Sequence, residues 1–125
     1  MKKINIIICT LFSILFLSCE KREYYQGEYI IINDTNEGID CYAVGRNISA
    51  PSVTIHDYIP ANSKLSLRKI EITNKATVKD IFVSIEIYQN AQKAIKNPMD
   101  QNLWLKTSSN NQLTYTLVVD ASFFR

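Results

Sequence analysis

Two stretches of this chain alternate strictly between apolar residues and other residues, and this alternation constrains the fold more than any other feature. The apolar positions are Ile81, Val83, Ile85 and Ile87 in the first stretch, and Leu113, Tyr115, Leu117 and Val119 in the second. Because side chains two residues apart lie on the same face of a strand, each stretch predicts a β-strand with these residues facing the core.

Shorter apolar runs divide the rest of residues 29–125 in the same way. They are rich in Ile, Val, Thr and Tyr, which suit a pleated, half-buried surface, and turn signals separate them at intervals of roughly 8–12 residues. The continuous apolar run at 29–32 predicts a strand that is covered on both faces. The polar cluster at 33–38 predicts a hairpin turn into a second strand that begins at Ile39.

One run changes parity partway along its length. Its apolar positions in 64–67 and those in 70–73 would face opposite sides of a regular strand. A strand with a period of two residues changes parity only when an extra residue enters it, so we expect a bulge or break near Arg68 and Lys69.

The number and spacing of these runs predict an all-β fold. Seven or so short strands are typical of an antiparallel β-sandwich formed as a single domain by residues 29–125, for which an immunoglobulin-like topology is one option. A small β-barrel is the second choice. The exception to the strand period is the set Ala91, Ala94 and Ile95, which predicts a short helical turn near residues 90–97 that Pro98 ends.

The first 19 residues have a different character. Lys2 and Lys3 precede an apolar stretch from Ile4 to Leu17, and Cys19 follows immediately after Ser18. The stretch is shorter than the roughly 20 apolar residues that a membrane-spanning helix needs, so it indicates an export signal.

This N-terminal pattern resembles the signal peptide of bacterial lipoproteins. The resemblance covers residues 1–19 only and implies cleavage between Ser18 and Cys19, which removes residues 1–18. The thiol of Cys19 would then carry acyl chains such as palmitate, and residues 19–28 would form the lipid anchor and a short tether. The alternative is an ordinary secretory signal that leaves Cys19 as an unmodified thiol or in a disulfide.

The resemblance implies a lipid-anchored protein of the bacterial cell envelope, held to the membrane through Cys19. By analogy with the family, Glu20 in place of Asp after the cysteine favours the outer membrane over the inner one. Lys2 and Lys3 are lost with the signal, so 12 of the 14 basic residues and all 12 acidic residues remain. A neutral domain has no broad electrostatic attraction for nucleic acid, and we expect no nucleic-acid partner.

The remaining residues offer little for catalysis. His56 is the only histidine, and its neighbour Asp57 would point to the opposite face of a strand, so the two cannot act as a catalytic pair. Cys41 has the parity of a core residue, where free cysteines usually lie. We therefore expect no enzyme activity, no cofactor and no metal site.

Aromatic residues are the one feature that suggests a ligand surface. The candidates are Tyr42, Tyr58, Tyr88 and Trp104. Exposed rings of this kind bind sugars or peptides, whereas buried ones only pack in the core. The sequence thus favours a non-catalytic binding or assembly module with an envelope protein or a glycan as its partner. A small envelope hydrolase and an inhibitor or immunity-type lipoprotein are the alternatives.

Overall fold

The structure is a computed structural model, and it describes residues 23–47 and 50–125. Its strands are β1 (Tyr24–Asn33), β2 (Ile39–Gly45), β3 (Val53–Ile59), β4 (Lys64–Thr73), β5 (Phe82–Gln89), β6 (Gln92–Lys93), β7 (Trp104–Ser109) and β8 (Gln112–Val119). A single-turn helix, α1 (Val78–Ile81), precedes β5, and two short 3-10 turns occupy Gln101–Leu103 and Ala121–Phe123. None of the helices among these residues is long and apolar enough to cross a membrane.

The strands form two four-stranded sheets that pack face to face. Sheet A has the order β4-β1-β8-β7, and sheet B has the order β3-β2-β5-β6. Every pairing is antiparallel except that of β1 with β8, which is parallel. The predicted β-sandwich is therefore confirmed.

The order of the first six strands matches part of the arrangement of an immunoglobulin variable domain. There, strands C′, C, F and G share one sheet, while E and B are neighbours in the other. The order β3-β2-β5-β6 and the pair β4-β1 reproduce these positions. The chain departs from that arrangement beside β1, where the C-terminal strand β8 runs parallel to it.

The core lies between the sheets and contains alternate residues of each central strand. From β8 it receives Leu113, Tyr115, Leu117 and Val119, all of which are buried, so the pattern predicted for this strand is confirmed. The ring of Tyr29 in β1 stacks on Tyr115 at 5.0 Å between centroids and meets Phe82 edge-on at 5.3 Å. Burying such large rings supplies much of the hydrophobic stabilisation of a domain this size.

The predicted hairpin between the first two strands is wrong, because β1 and β2 lie in different sheets. Asn33, at the end of β1, is fully buried. Its side-chain nitrogen Nδ2 donates to the carbonyl oxygens of Glu37, Ile59 and Pro60 at 2.8–3.1 Å. These bonds hold the 34–38 turn against the end of β3, so the chain crosses to sheet B instead of folding back on β1.

The expectation that β1 is covered on both faces is also wrong. Tyr29 and Ile31 are buried in the core, while Ile30 and Ile32 on the outer face of sheet A are only half-buried. Two neighbouring strands shield the backbone of β1 at its sides, but no third layer covers this outer face among the described residues.

Two bulges decide which side chains enter the core. In β4, Tyr29 pairs with Arg68 and Ile30 with Ser66, so Leu67 is the extra residue; this is the bulge predicted near Arg68. A second bulge in β5 lies at Val83, which is 47% exposed. The expectation that Val83 faces the core is therefore wrong, and its neighbour Phe82 is buried instead.

The helical turn predicted near residues 90–97 is absent from the structure. Asn90 and Ala91 have φ angles of 50° and 63°, and they connect β5 to β6. Left-handed conformations at both central positions of a two-residue turn are characteristic of a tight hairpin. The spacing of the alanines resembled one helical turn only by coincidence.

Candidate functional site

The outer face of sheet B brings tyrosines and carboxylates together. In the register of the sheet, Asp40 of β2 lies between Tyr58 of β3 and Tyr88 of β5, and Tyr42 lies between His56 and Glu86. We call this surface the tyrosine face; it consists of Asp40, Tyr42, His56, Tyr58, Glu86 and Tyr88. Since all six positions share one parity on adjacent strands, the pleat of the sheet points them to the same side.

Tyr42 is at the centre of the tyrosine face and contacts two other rings. The imidazole of His56 stacks on it, with centroids 4.1 Å apart and an interplanar angle of 13°. Tyr88 meets it edge-on at 5.7 Å and 90°. Tyr42 still exposes 42% of its surface. The neighbouring rings thus hold it in place and leave it accessible to a ligand.

Tyr58 is the most exposed aromatic residue of the tyrosine face, at 63%. Its ring lies over Gly38, so close that a Cβ atom on this glycine would overlap the Tyr58 hydroxyl and ring. The backbone conformation of Gly38 is not left-handed, so space alone requires a residue without a side chain here. Gly38 therefore positions Tyr58 by offering a flat backbone surface.

The two carboxylates of the tyrosine face have weak partners. Asp40 Oδ1 is 3.6 Å from His56 Nε2, and Glu86 Oε1 is 3.5 Å from the Nζ of Lys93. The hydroxyl of Tyr88 donates to Glu86 Oε2 at 3.0 Å, and this hydrogen bond is the main reason that the pKa of Tyr88 is raised. The side chains of both carboxylates remain more than two-fifths exposed.

An open groove runs between these side chains. It has a volume of about 510 Å³ and is lined by Asp40, Tyr42, Glu86, Tyr88 and Ala91. Within it, each carboxylate neighbours a tyrosine both along its own strand and across to the next strand. The two carboxylates therefore occupy diagonal corners of the groove, and the two tyrosines occupy the other two.

Of the four aromatic residues predicted as a binding surface, three meet here and one does not. Tyr42, Tyr58 and Tyr88 lie on the tyrosine face, but Trp104 belongs to sheet A and is only 6% exposed. Its indole nitrogen donates to the carbonyl oxygen of Pro98 at 2.7 Å. Including Trp104 was wrong because its polar atom finds a partner inside the protein, and the rest of its ring packs in the core.

Sequence reasoning did not bring Asp40, His56 and Glu86 together with the three tyrosines in one site. Their signal is the parity that Asp40 shares with Tyr42, and Glu86 with Tyr88, along each strand. Using this signal requires the pairing of β2 with β5, which are separated by the whole of β3, β4 and α1. The chain order alone does not reveal this pairing.

The one cysteine in the described part of the chain lies in the core. Cys41 is fully buried in the core as a free thiol, and burial raises its pKa to about 12, with a smaller contribution from Asp57. A thiol with so high a pKa is a poor nucleophile. In the described part of the chain, no three His, Cys, Asp or Glu side chains come together as a metal site.

The predicted cleavage site at Ser18 and the lipid attachment site at Cys19 lie outside the described residues. Comparison with protein-family models, with curated proteins and with solved structures finds no match to this chain.

Proposed function

We propose that this chain is a lipid-anchored protein of the bacterial cell envelope that works as a non-catalytic binding module, and that the tyrosine face is its ligand surface. The anchor in this proposal is the modified thiol of Cys19, and the outer membrane is the favoured location. The proposal for the anchor rests on the resemblance of residues 1–19 to lipoprotein signals.

The observation that carries the binding proposal is the accessibility of the tyrosine face. Tyr42 and Tyr58 are large, half-apolar side chains that stand on rigid strands and are still exposed to solvent. Side chains of this kind contribute much of the contact energy in binding surfaces, because they lose little conformational entropy when a ligand binds.

The sheet edges favour binding at a face over the addition of a partner strand. A strand of a partner adds readily to a regular, uncharged edge, whereas bulges and charges that point inward prevent it. The edge strand β4 is bulged at Leu67. On β3, Asp57 pairs with the core residue Cys41, and on β7, Lys106 pairs with the core residue Tyr115.

The fourth edge strand, β6, has only two residues. Each of the four edges in the described part of the chain thus carries a feature that disfavours strand pairing. A partner that docks on this domain would therefore use a face of the sandwich.

The hydrolase alternative receives less support from the same surface. His56 lies beside Asp40, but its other close contact is the ring of Tyr42, stacked on the imidazole. Catalysis by a histidine requires a nucleophile or a bound water that the base activates. Neither of these two contacts is with a serine, threonine or cysteine.

Hydroxyl-radical footprinting tests the binding proposal without requiring the ligand to be known. The protein is oxidised alone and in the presence of the isolated cell envelope, and mass spectrometry then measures the oxidation of individual side chains. We expect the envelope to protect Tyr42 and Tyr58, while Leu105, which is 65% exposed on sheet A, stays equally reactive. Protection of Leu105 without protection of Tyr42 would reject the tyrosine face as the ligand surface.

A further inference from the structure

The groove of the tyrosine face has the chemistry of a site for a cation, and this inference rests on the function proposed above. We propose that it binds an alkylammonium group, such as the side chain of a lysine residue in a peptide or protein. Three features of the described residues lead to this assignment: the charge of the groove, the placement of its rings and the contact that Lys93 already makes.

The charge of the groove favours a positive ligand. Among the described residues, those that line it include the two carboxylates Asp40 and Glu86 and no basic side chain. His56, which neighbours Asp40, is charged only when it is protonated, and Lys93 reaches only Glu86. An anionic ligand would therefore meet repulsion from two carboxylates, whereas a cation would gain from both.

The diagonal arrangement suits a single ammonium group. Diagonal positions on neighbouring strands are roughly 7–8 Å apart at the backbone, so one ammonium group at the mouth of the groove is within reach of the side chains of both Asp40 and Glu86. The remaining corners hold Tyr42 and Tyr88. Tyrosine rings attract a cation through the negative potential of their faces, at distances up to about 6 Å from the centroid.

A sugar fits the same groove less well. Sugar rings usually stack on a broad, uncovered aromatic face. One face of Tyr42 is already covered by His56, and Tyr88 stands perpendicular to Tyr42. These rings form adjoining walls of the open groove, and such walls suit a compact group better than they support a flat one.

Lys93 provides an internal example of the proposed contact. Its ammonium nitrogen is 3.5 Å from Glu86, whose other oxygen accepts the Tyr88 hydroxyl. One edge of the groove thus already attracts an ammonium group from the protein itself. A ligand would compete with Lys93 for Glu86, and removing this lysine should strengthen binding.

The test is an NMR titration of the ¹⁵N-labelled protein with the peptide acetyl-Gly-Lys-Gly-amide. The matched probe is the same peptide with its lysine side chain acetylated, which has no positive charge. We expect the first peptide to shift the amide signals of residues 40–42 and 86–88, and the acetylated peptide to leave them unchanged. Equal shifts with both peptides would overturn the inference.

Variants identify the groups responsible. Asp40→Asn, Glu86→Gln and Tyr42→Leu should each weaken binding about two- to fivefold, as expected for exposed ionic and cation–π contacts, and Lys93→Ala should strengthen it. Asp34→Asn and Tyr24→Leu alter exposed residues outside the groove and should have no effect. Unchanged affinity in both carboxylate variants would reject the site.

A third probe separates this inference from the proposed function. A neutral tetrasaccharide of N-acetylglucosamine is titrated in the same way. If it shifts the tyrosine face while the lysine peptide does not, the inference of a cation site is wrong, although the proposed binding surface is retained. If no probe shifts the face and the envelope fails to protect Tyr42 in footprinting, both proposals are wrong.

Discussion

The hydroxyl group of Tyr29 offers a sharp test of how the core is stabilised. This residue is fully buried, its ring contacts Phe82, Trp104 and Tyr115, and its hydroxyl has no hydrogen-bond partner among the described residues. Burial is also the main cause of a large rise in the pKa of Tyr29. The group therefore stays neutral, because the charge of Arg68 nearby offsets the effect of burial only in part.

We expect Tyr29→Phe to stabilise the protein. An unsatisfied buried polar group costs about 1–3 kcal/mol. Removing the oxygen sacrifices a few dispersion contacts, each worth about 0.1–0.2 kcal/mol. The net effect should be an increase of about 0.5–2 kcal/mol in the free energy of unfolding. For a domain of this size, each 1 kcal/mol raises Tm by about 4–8 °C.

Urea unfolding followed by fluorescence measures this effect, because Trp104 is the only tryptophan and is buried. The measurement is made in the Cys19→Ala protein so that an attached lipid does not interfere. Tyr115→Phe is the matched control, since the Tyr115 hydroxyl donates to the carbonyl oxygen of Ala76 at 3.4 Å. This second variant should be neutral or lose up to about 1 kcal/mol. A loss of stability in Tyr29→Phe would refute the reasoning and indicate that its hydroxyl has a partner.

Three further substitutions test particular features of the fold. Ala91→Gly should stabilise the protein by up to about 1 kcal/mol in thermal unfolding. Alanine at a φ of 63° is strained by about 1–2 kcal/mol, and glycine removes this strain at a smaller cost in backbone entropy. A lower Tm would contradict the strained turn. Gly38→Ala should displace the ring of Tyr58 and shift the NMR signals of this ring, while the free energy of unfolding falls by less than about 1 kcal/mol. Unchanged ring signals would contradict the contact between Gly38 and Tyr58. Cys41 should resist alkylation until the protein unfolds. Burial raises the pKa of Cys41 to about 12, so the folded state holds the thiol proton more tightly than the unfolded state does. The free energy of unfolding should therefore fall as the pH rises from about 9 towards 12. Cys41→Ala should make this fall less steep, and an equally steep fall would contradict the raised pKa of Cys41.

The features that sequence reasoning predicted correctly are those encoded by uninterrupted local patterns. The alternation in β8 continues without a bulge from Leu113 to Val119, so parity alone identifies its core face. In β4 the change of parity is visible in the sequence itself, and the bulge at Leu67 lies beside the predicted position. In both strands, one face must be buried, and the pattern shows which residues can occupy it.

The predictions that were wrong depend on contacts between distant segments. Val83 matches the apolar pattern of β5, but the bulge opposite Gly45 turns it outward. The polar cluster after β1 resembles a hairpin turn, yet the hydrogen bonds of Asn33 with Ile59 and Pro60 direct the chain to the other sheet. A single sequence contains no direct record of such pairings.

The candidate site was predictable only in part for the same reason. Tyr42, Tyr58 and Tyr88 could be proposed from residue type and parity. The cross-strand pairing of Asp40 with Tyr88, and of Tyr42 with Glu86, depends on the register of β2 with β5. The exclusion of Trp104 depends on its hydrogen bond with Pro98 inside the protein.

The measurement that tests the central claim most directly is mass spectrometry of the mature N-terminus. The protein is purified from bacterial membranes, digested with a protease, and its first peptide is weighed and sequenced. The proposal of a lipid-anchored envelope module predicts a peptide that begins at Cys19 and carries acyl chains on this residue. An unmodified N-terminus, or one that begins at any other residue, would contradict the claim.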